Sequence, residues 1–223
     1  MLDFGFLVDV FLHLDVHLAS FMQQYGTPVY VMLFLIIFCE TGLVVTPFLP
    51  GDSLIFAAGA LAATGIVSWT ALPLFMIAAV TGNMLNYQIG LFLSDKVKQR
   101  KKMRFINQED LDRTQEFFDK YGGITIVITR FMPILRTFSP FVAGVGKMSY
   151  RRFLLFNTVG GVSWAAVFFF IGYFFGNLPA VKQHFSIVVI AIILISAIPA
   201  IVAFVKNRKT AKKKKCEGSQ SRA

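Results

Sequence analysis

Long apolar stretches alternate with short polar or proline-containing segments along most of the chain. Three of these stretches, residues 69–93, 153–175 and 185–205, are apolar over enough length to cross a bilayer. A helix needs about 20 mostly apolar residues to span the hydrocarbon core. The pattern therefore predicts about three full transmembrane helices.

Two further apolar regions, near 29–65 and 122–146, are interrupted by helix-breaking residues and contain charged side chains. The pieces on either side of each interruption are too short to span a bilayer as one helix. Irregular backbone at membrane depth is tolerated only inside protein or beside a wet cavity. We therefore predict a re-entrant helical hairpin in each region. The prolines at the predicted breaks are Pro47, Pro50, Pro133 and Pro140.

The N-terminal residues 1–27 place apolar side chains at helical spacing but carry Asp9, His13, Asp15 and His17 among them. This pattern predicts an amphipathic helix lying in the membrane interface. No basic residue precedes the first apolar stretch, so we expect no cleaved signal peptide and take the whole chain as mature.

A polar segment, 107–120, separates the two predicted hairpin regions and has acidic residues near its start. Acidic residues favour the first turn of a helix. This segment is predicted to be a surface helix.

Charge is distributed very unevenly in a chain of 223 residues that is 56% hydrophobic and 15% charged. All 22 basic residues lie between Lys96 and Arg222, in short blocks that flank apolar spans. The net charge of +10 is therefore not a basic face for nucleic acid. Lys and Arg mark cytoplasmic segments, which predicts a multi-pass membrane protein with a cytoplasmic tail at 207–223. We expect this tail to contact an anionic lipid surface.

This topology relates the two halves of residues 28–206, the predicted membrane transport domain. The first hairpin would open to the outside and the second to the inside, each followed by a full span. Such inverted repeats are typical of secondary transporters whose sites lie near the bilayer midplane. The match between the halves is limited to a proline break followed by Ala58-Gly59 or Ala143-Gly144. The predicted fold is an all-α integral membrane protein with two inverted hairpins.

Four strongly charged side chains are predicted at membrane depth: Glu40, Asp52, Arg130 and Arg136. A charge at the centre of a membrane helix costs about 2.5 to 3.5 kcal/mol on insertion scales, so each needs a partner, water or a proton. One interpretation is two structural salt bridges that hold the hairpins together. The other is a functional site, favoured because each charge lies beside a helix-breaking proline or glycine. Sequence alone does not say which acid pairs with which arginine.

The chemistry of these side chains suggests a division of roles. The planar, permanently charged guanidinium suits phosphate, so Arg130 and Arg136 are candidate phosphate-binding residues. A buried carboxylate can be neutralised by a proton, so Glu40 and Asp52 are candidate proton-coupling residues.

Other kinds of chemistry lack a pattern in the chain. No nucleotide-binding loop, zinc-protease motif or serine-hydrolase elbow occurs, so we expect neither an enzyme nor an ATP-driven pump. His13 and His17 lie one turn apart without an evident third ligand, and Cys39 and Cys216 do not form a disulfide framework. We expect no metal or cofactor, only protons as a coupling ion. Whether the protein forms homo-oligomers is open.

Several motifs, in order along nearly the whole chain, resemble the signatures of the DedA family. They are Phe38-Cys39-Glu40-Thr41-Gly42, Pro47-Phe48-Leu49-Pro50-Gly51-Asp52, Arg130-Phe131-Met132-Pro133, Arg136-Thr137-Phe138, Ala143-Gly144, and later Gly160, Trp164, Gly172-Tyr173 and Gly176. The resemblance implies a bacterial inner-membrane protein, related to eukaryotic proteins implicated in lipid scrambling. Some family members are implicated in returning undecaprenyl phosphate across the membrane.

The resemblance also implies that the two membrane carboxylates and two arginines, here Glu40, Asp52, Arg130 and Arg136, are needed for function. Many relatives have an acidic residue and a basic residue where this chain has Asn83 and Leu91. The implied function is a lipid flippase driven by the proton gradient. The alternatives are a small-ion/proton antiporter and an assembly factor without transport.

Overall fold

The computed structural model describes residues 14–43, 51–98, 114, 115 and 118–179, together with 181, 187, 188 and 191. This part of the chain is helical and has no strand. Its helices are α1 Leu14–Tyr25, α2 Pro28–Gly42, α3 Gly51–Ala63, α4 Ala71–Lys98, the single turn α5 Thr125–Ile128, α6 Pro133–Val145 and α7 Tyr150–Phe175. The all-helical prediction is confirmed for these residues.

Among the described helices, α7 alone is both long and apolar enough to cross a membrane by length and composition. The predicted span at 153–175 is thereby confirmed as a candidate span. The predicted span at 69–93 forms one continuous helix, α4, whose amides and charged end lower its mean hydropathy. The last predicted span, 185–205, and the tail, 207–223, lie almost entirely outside the described residues.

The first hairpin region consists of two short helices, α2 with 15 residues and α3 with 13. At 1.5 Å per residue they are about 20 Å long, well short of the hydrocarbon core. Leu33 and Ile37 of α2 are buried in the main apolar core, as are Ile55 and most other residues of α3. Residues 44–50, which contain the prolines of the predicted break, lie outside the described part.

The second hairpin region is divided as predicted at Pro133. A 3-10 turn, Thr129–Phe131, precedes extended backbone at Met132, with φ −119° and ψ 106°, and α6 then begins. The residue before a proline is pushed out of the helical conformation, which explains the break.

The prediction that Pro140 also breaks the chain is wrong, because Pro140 lies inside α6. Proline there removes one N–H that would bond to the carbonyl of Arg136. The helix nevertheless continues to Val145 because it is packed along α4 over most of its length. The depth of both short-helix pairs in a bilayer stays a prediction.

The N-terminal helix α1 covers the second half of the predicted amphipathic segment. Leu18 and Met22 on one of its faces are buried in the main core against α3. Residues 1–13, and most of the predicted surface helix at 107–120, lie outside the described part of the chain.

Each short helix packs along the long helix of the other half of the chain: α3 packs along α7, and α6 packs along α4. In both pairs each helix contributes an aromatic residue and, three positions later, a glycine that touches the backbone of the opposite helix. The residues are Phe56 and Gly59 against Phe169 and Gly172, and Phe141 and Gly144 against Tyr87 and Gly90. Small residues allow helix backbones to approach this closely. The repeat, weak in sequence, therefore uses the same contact twice.

We expect Gly172→Ala to destabilise the protein by about 1 to 3 kcal/mol, because an added methyl group would overlap the backbone of Phe56. Gly160→Ala on the same helix is the milder comparison, since its methyl group would make a tight contact of 3.3 Å with the Cα of Val127, whereas that of Gly172→Ala would lie 2.0 Å from the carbonyl oxygen of Phe56. Melting temperatures in detergent would compare the two variants. Equal melting temperatures would contradict the close contact between Gly172 and the backbone of Phe56.

Candidate functional site

Arg136 binds both membrane carboxylates at once. Its Nη1 donates to Asp52 Oδ1 at 2.7 Å, and its Nη2 donates to Glu40 Oε1. The Glu40 side chain is fully buried and that of Asp52 is 13% exposed. The acids pair with the same arginine, and Asp52 is the one nearer to solvent or lipid.

Breaks in the helices bring these three groups together. Glu40 lies in the last turn of α2, Asp52 is the second residue of α3, and Arg136 lies in the first turn of α6. Gly51 allows the approach, because a Cβ there would collide with the carboxylate of Glu40. The start of α3 thus faces a carboxylate, as the partial positive charge of a helix N-terminus favours.

Arg130 has a different environment, made of neutral groups. Its Nη1 donates to Asn157 Oδ1 and its Nη2 to the carbonyl of Ala79, both at 3.0 Å. When the side-chain oxygen and nitrogen of Asn83 are interchanged, which satisfies both of them, the oxygen accepts from Arg130 Nη1 at 2.7 Å. Within the described residues no carboxylate forms an ion pair with Arg130. Its positive charge is therefore solvated by amides rather than paired.

Trp164 on α7 connects the two arginines. Its ring centroid lies 5.5 Å from the guanidinium carbon of Arg130 and 5.2 Å from that of Arg136. Its indole N–H donates to Asp52 Oδ1 at 2.9 Å. The four charges and this indole ring therefore form one buried cluster.

Asn86 fastens two of the helices that carry the charges. Its Nδ2 donates to the carbonyl of Thr41 at 3.3 Å and to that of Thr137 at 2.8 Å. These threonines directly follow Glu40 and Arg136 in sequence. A single amide of α4 therefore sets the separation of α2 and α6 at the ion pair.

We expect Asn86→Leu to destabilise the protein by about 1 to 3 kcal/mol, because two buried carbonyls lose a donor. Gln88→Leu is the control, since Gln88 is exposed on the same helix. Thermal unfolding in detergent would measure both changes. A control as destabilised as Asn86→Leu would argue against the cross-link.

The prediction that the four charged residues need partners is confirmed, since the structure gathers all of them. Asn83, Asn86 and Tyr87 also hydrogen-bond across helices, Tyr87 donating to Met148 O at 2.5 Å. The roles in proton coupling and phosphate binding stay predictions.

Sequence reasoning missed two residues of the cluster. It named Trp164 only among the residues of the family signature, without a role, and it did not single out Asn157. A signal existed for Asn157, because a polar amide inside a strongly apolar span needs a buried partner. Trp164 had no comparable signal among the many aromatic residues of the chain.

Two N–H groups of the cluster remain available for a ligand. Arg130 Nε and Arg136 Nε are buried and have no hydrogen-bond partner among the described residues. Buried donors in native proteins are normally satisfied, so such exceptions point to a missing acceptor. In the same part of the chain, no three His, Cys, Asp or Glu side chains are grouped to hold a metal ion.

Comparison with known proteins finds a matching family model and several relatives of similar sequence. The VTT domain family matches residues 49–174. Protein DedA of Escherichia coli K12 is 45% identical over 209 residues, which cover 92% of this chain and 95% of that protein. The chain belongs to the DedA family. This family assignment confirms the sequence resemblance and identifies a membrane protein.

Other relatives of this DedA-family chain carry membrane names as well. An uncharacterized membrane protein of Mycobacterium leprae is 39% identical over 75% of this chain and 76% of its own length. Inner membrane protein YghB of Escherichia coli K12 is 33% identical over 70% and 72% of the two chains. No solved structure matches the chain. The VTT match includes Asp52, both arginines and Trp164, and it begins after Glu40.

Proposed function

We propose that this DedA-family protein is a multi-pass transporter of the bacterial inner membrane that moves a phosphate-bearing lipid between leaflets and is driven by the proton gradient. The substrate is undecaprenyl phosphate or a phospholipid headgroup, and the reaction needs no cofactor other than protons. One observation carries the proposal: carboxylates occupy both outer nitrogens of Arg136.

Occupied donors make phosphate binding and proton uptake interdependent. A phosphate that binds Arg136 through its planar fork must displace Glu40, Asp52 or both. A displaced carboxylate in a buried site is stabilised by a proton, because an unpaired charge there is costly. Conversely, a proton on either acid weakens its hold on Arg136 and exposes the fork. Lipid phosphate and protons are therefore bound together and move in the same direction.

The charges of the cluster agree with this scheme. Two acids and two arginines sum to zero, and two protons bring the cluster to a charge of plus two. A phosphate monoester carries about −1.5 to −2 at neutral pH and so neutralises the protonated cluster. Among the described residues, Arg130 binds neutral groups alone. Its positive charge is therefore the one in the cluster that no carboxylate pairs with.

The architecture also suits such a transport cycle. The charges lie near the ends of short helices. The short helix of each half packs against the long helix of the other half through equivalent glycine contacts. Transporters built from inverted repeats place their sites between the halves and move one half against the other. This cluster, with Asp52 on α3 and both arginines in the second half, lies between them.

The proposal is tested by reconstituting the protein and its Arg130→Ala variant in liposomes. Movement of undecaprenyl phosphate from the outer to the inner leaflet would be measured with and without an acidic exterior. We expect the acidic exterior to accelerate lipid movement at least about tenfold in the parent protein, and we expect the variant to lose this acceleration. A tenfold change in rate corresponds to about the free energy of one hydrogen bond to a charged group. Arg151→Ala, an exposed arginine at the start of α7, is the matched control.

Two substrate controls separate the alternatives. Polyprenol of the same chain length, which lacks the phosphate, should not move faster with the gradient. Gradient-driven proton flux in liposomes without any phosphorylated lipid would instead favour a small-ion/proton antiporter. Folded protein that moves neither lipid nor protons would refute transport and favour an assembly role.

A further inference from the structure

Trp164 contacts three of the four charged residues although its own helix contributes none of them. The indole is fully buried, lies 5.2 and 5.5 Å from the two guanidinium carbons, and donates to Asp52. A buried indole N–H needs an acceptor, and here the acceptor is a carboxylate oxygen that Arg136 also binds. The indole is therefore part of the ion pair rather than apolar filling.

Asp52 and Glu40 are held differently. Asp52 Oδ1 accepts from both Arg136 at 2.7 Å and Trp164 at 2.9 Å. Glu40 accepts from Arg136 and contacts the backbone at Gly51, without an indole donor. Asp52 is also the more exposed acid, 13% against 0%. Asp52 is accordingly the more accessible carboxylate, and Trp164 holds it against Arg136.

The ring itself acts on the arginines. A guanidinium near an aromatic face is stabilised by the electrons of the ring, more strongly when both are desolvated. Two guanidiniums beside one buried ring share this stabilisation, which offsets part of their mutual repulsion. Loss of the ring would therefore affect both arginines, whereas loss of the N–H alone would affect Asp52.

We propose that Trp164 is the positioning residue of the cluster: its N–H holds Asp52 against Arg136, and its ring keeps both arginines in place. This inference rests on the proposed function for its consequence in transport. Among the described residues, the charged groups nearest Asp52 are Arg136 from α6, which binds it, and Glu40 from α2, which binds the same arginine, while Arg130 from the turn before α6 lies beside the same indole ring.

Trp164→Phe removes the N–H and keeps a ring. A hydrogen bond to a carboxylate favours its charged form, so losing this donor should raise the pH of half-maximal transport by about one unit, or tenfold in proton concentration. The maximal rate should change by less than about threefold, because the other contacts of Asp52 and a ring beside the arginines remain. Trp164→Leu, which removes both features, should also lose at least about tenfold in maximal rate. An unchanged pH profile in Trp164→Phe would overturn the inference.

A second measurement does not depend on transport. The chain has two tryptophans, so a Trp69→Phe background leaves Trp164 as the single fluorescent indole. The ring centroids of Trp69 and Tyr173 lie 4.8 Å apart, in an aromatic contact separate from Trp164. A phenylalanine at position 69 keeps an aromatic ring in this contact. We expect the emission of Trp164 to titrate with pH in this background, because its acceptor changes charge.

Asp52→Asn in the same background should abolish this titration, and Asp119→Asn, at an exposed acid, should leave it unchanged. A titration that survives Asp52→Asn, or none in the background itself, would overturn the inference. A titration abolished by Asp52→Asn in a protein that moves no lipid would support the positioning role and refute the proposed transport. The two proposals can therefore fail separately.

Discussion

Arg136→Lys should lose at least about nine-tenths of gradient-driven lipid transport, although the positive charge is kept. The guanidinium binds Asp52 and Glu40 through two different nitrogens, and the same planar fork would bind phosphate. A lysine ammonium presents all its donors from one atom and cannot match this geometry. A tenfold loss corresponds to about 1.4 kcal/mol, the size of one charge-assisted hydrogen bond. Leaflet-to-leaflet movement of undecaprenyl phosphate in liposomes measures it.

Arg151→Lys is the matched control, since it makes the same change at an exposed arginine of α7. It should transport like the parent protein. Normal transport by Arg136→Lys would refute the fork as the phosphate-binding group, because charge alone would then suffice. The melting temperature of each variant in detergent shows that a loss of transport is not a loss of fold.

Arg136→Leu should destabilise the protein by about 3 to 5 kcal/mol, which is the cost of leaving a buried charge without its partner. Here two carboxylates lose their partner together. Adding Glu40→Gln and Asp52→Asn removes both charges while keeping the side-chain shapes, so the triple variant should recover most of the lost stability. Unfolding in detergent, by heat or denaturant, measures the single, double and triple variants as a cycle.

The same triple variant separates structure from function. A folded triple variant that moves no lipid would show that the ion pair serves transport. A folded triple variant that supports the cell as well as the parent protein would show that these three charges only hold the helices together. That outcome would favour an assembly role and contradict the proton-coupled mechanism.

The amide of Asn83 belongs to the neutral environment of Arg130. With its oxygen and nitrogen interchanged, its oxygen accepts from Arg130 Nη1 at 2.7 Å. An acid at this position would pair with Arg130. In this chain the described partners of Arg130 are neutral, so Arg130 keeps a positive charge for an anionic ligand.

The sequence by itself determined which residues had to meet. A charge at membrane depth must find a partner, so Glu40, Asp52, Arg130 and Arg136 could be selected from composition and apolar pattern alone. Proline before a helix and short apolar runs likewise determined that both hairpin regions form pairs of short helices. These are local or solvent-imposed constraints, and they act wherever the chain folds.

Only the tertiary structure decided which partners were chosen. That both acids bind Arg136, that Arg130 binds amides instead, and that Trp164 lies between the two arginines depend on which helix faces which. The same holds for Pro140, which leaves α6 intact because α4 supports it. Packing between helices distant in sequence has no local signature, because one apolar face can be buried against several others.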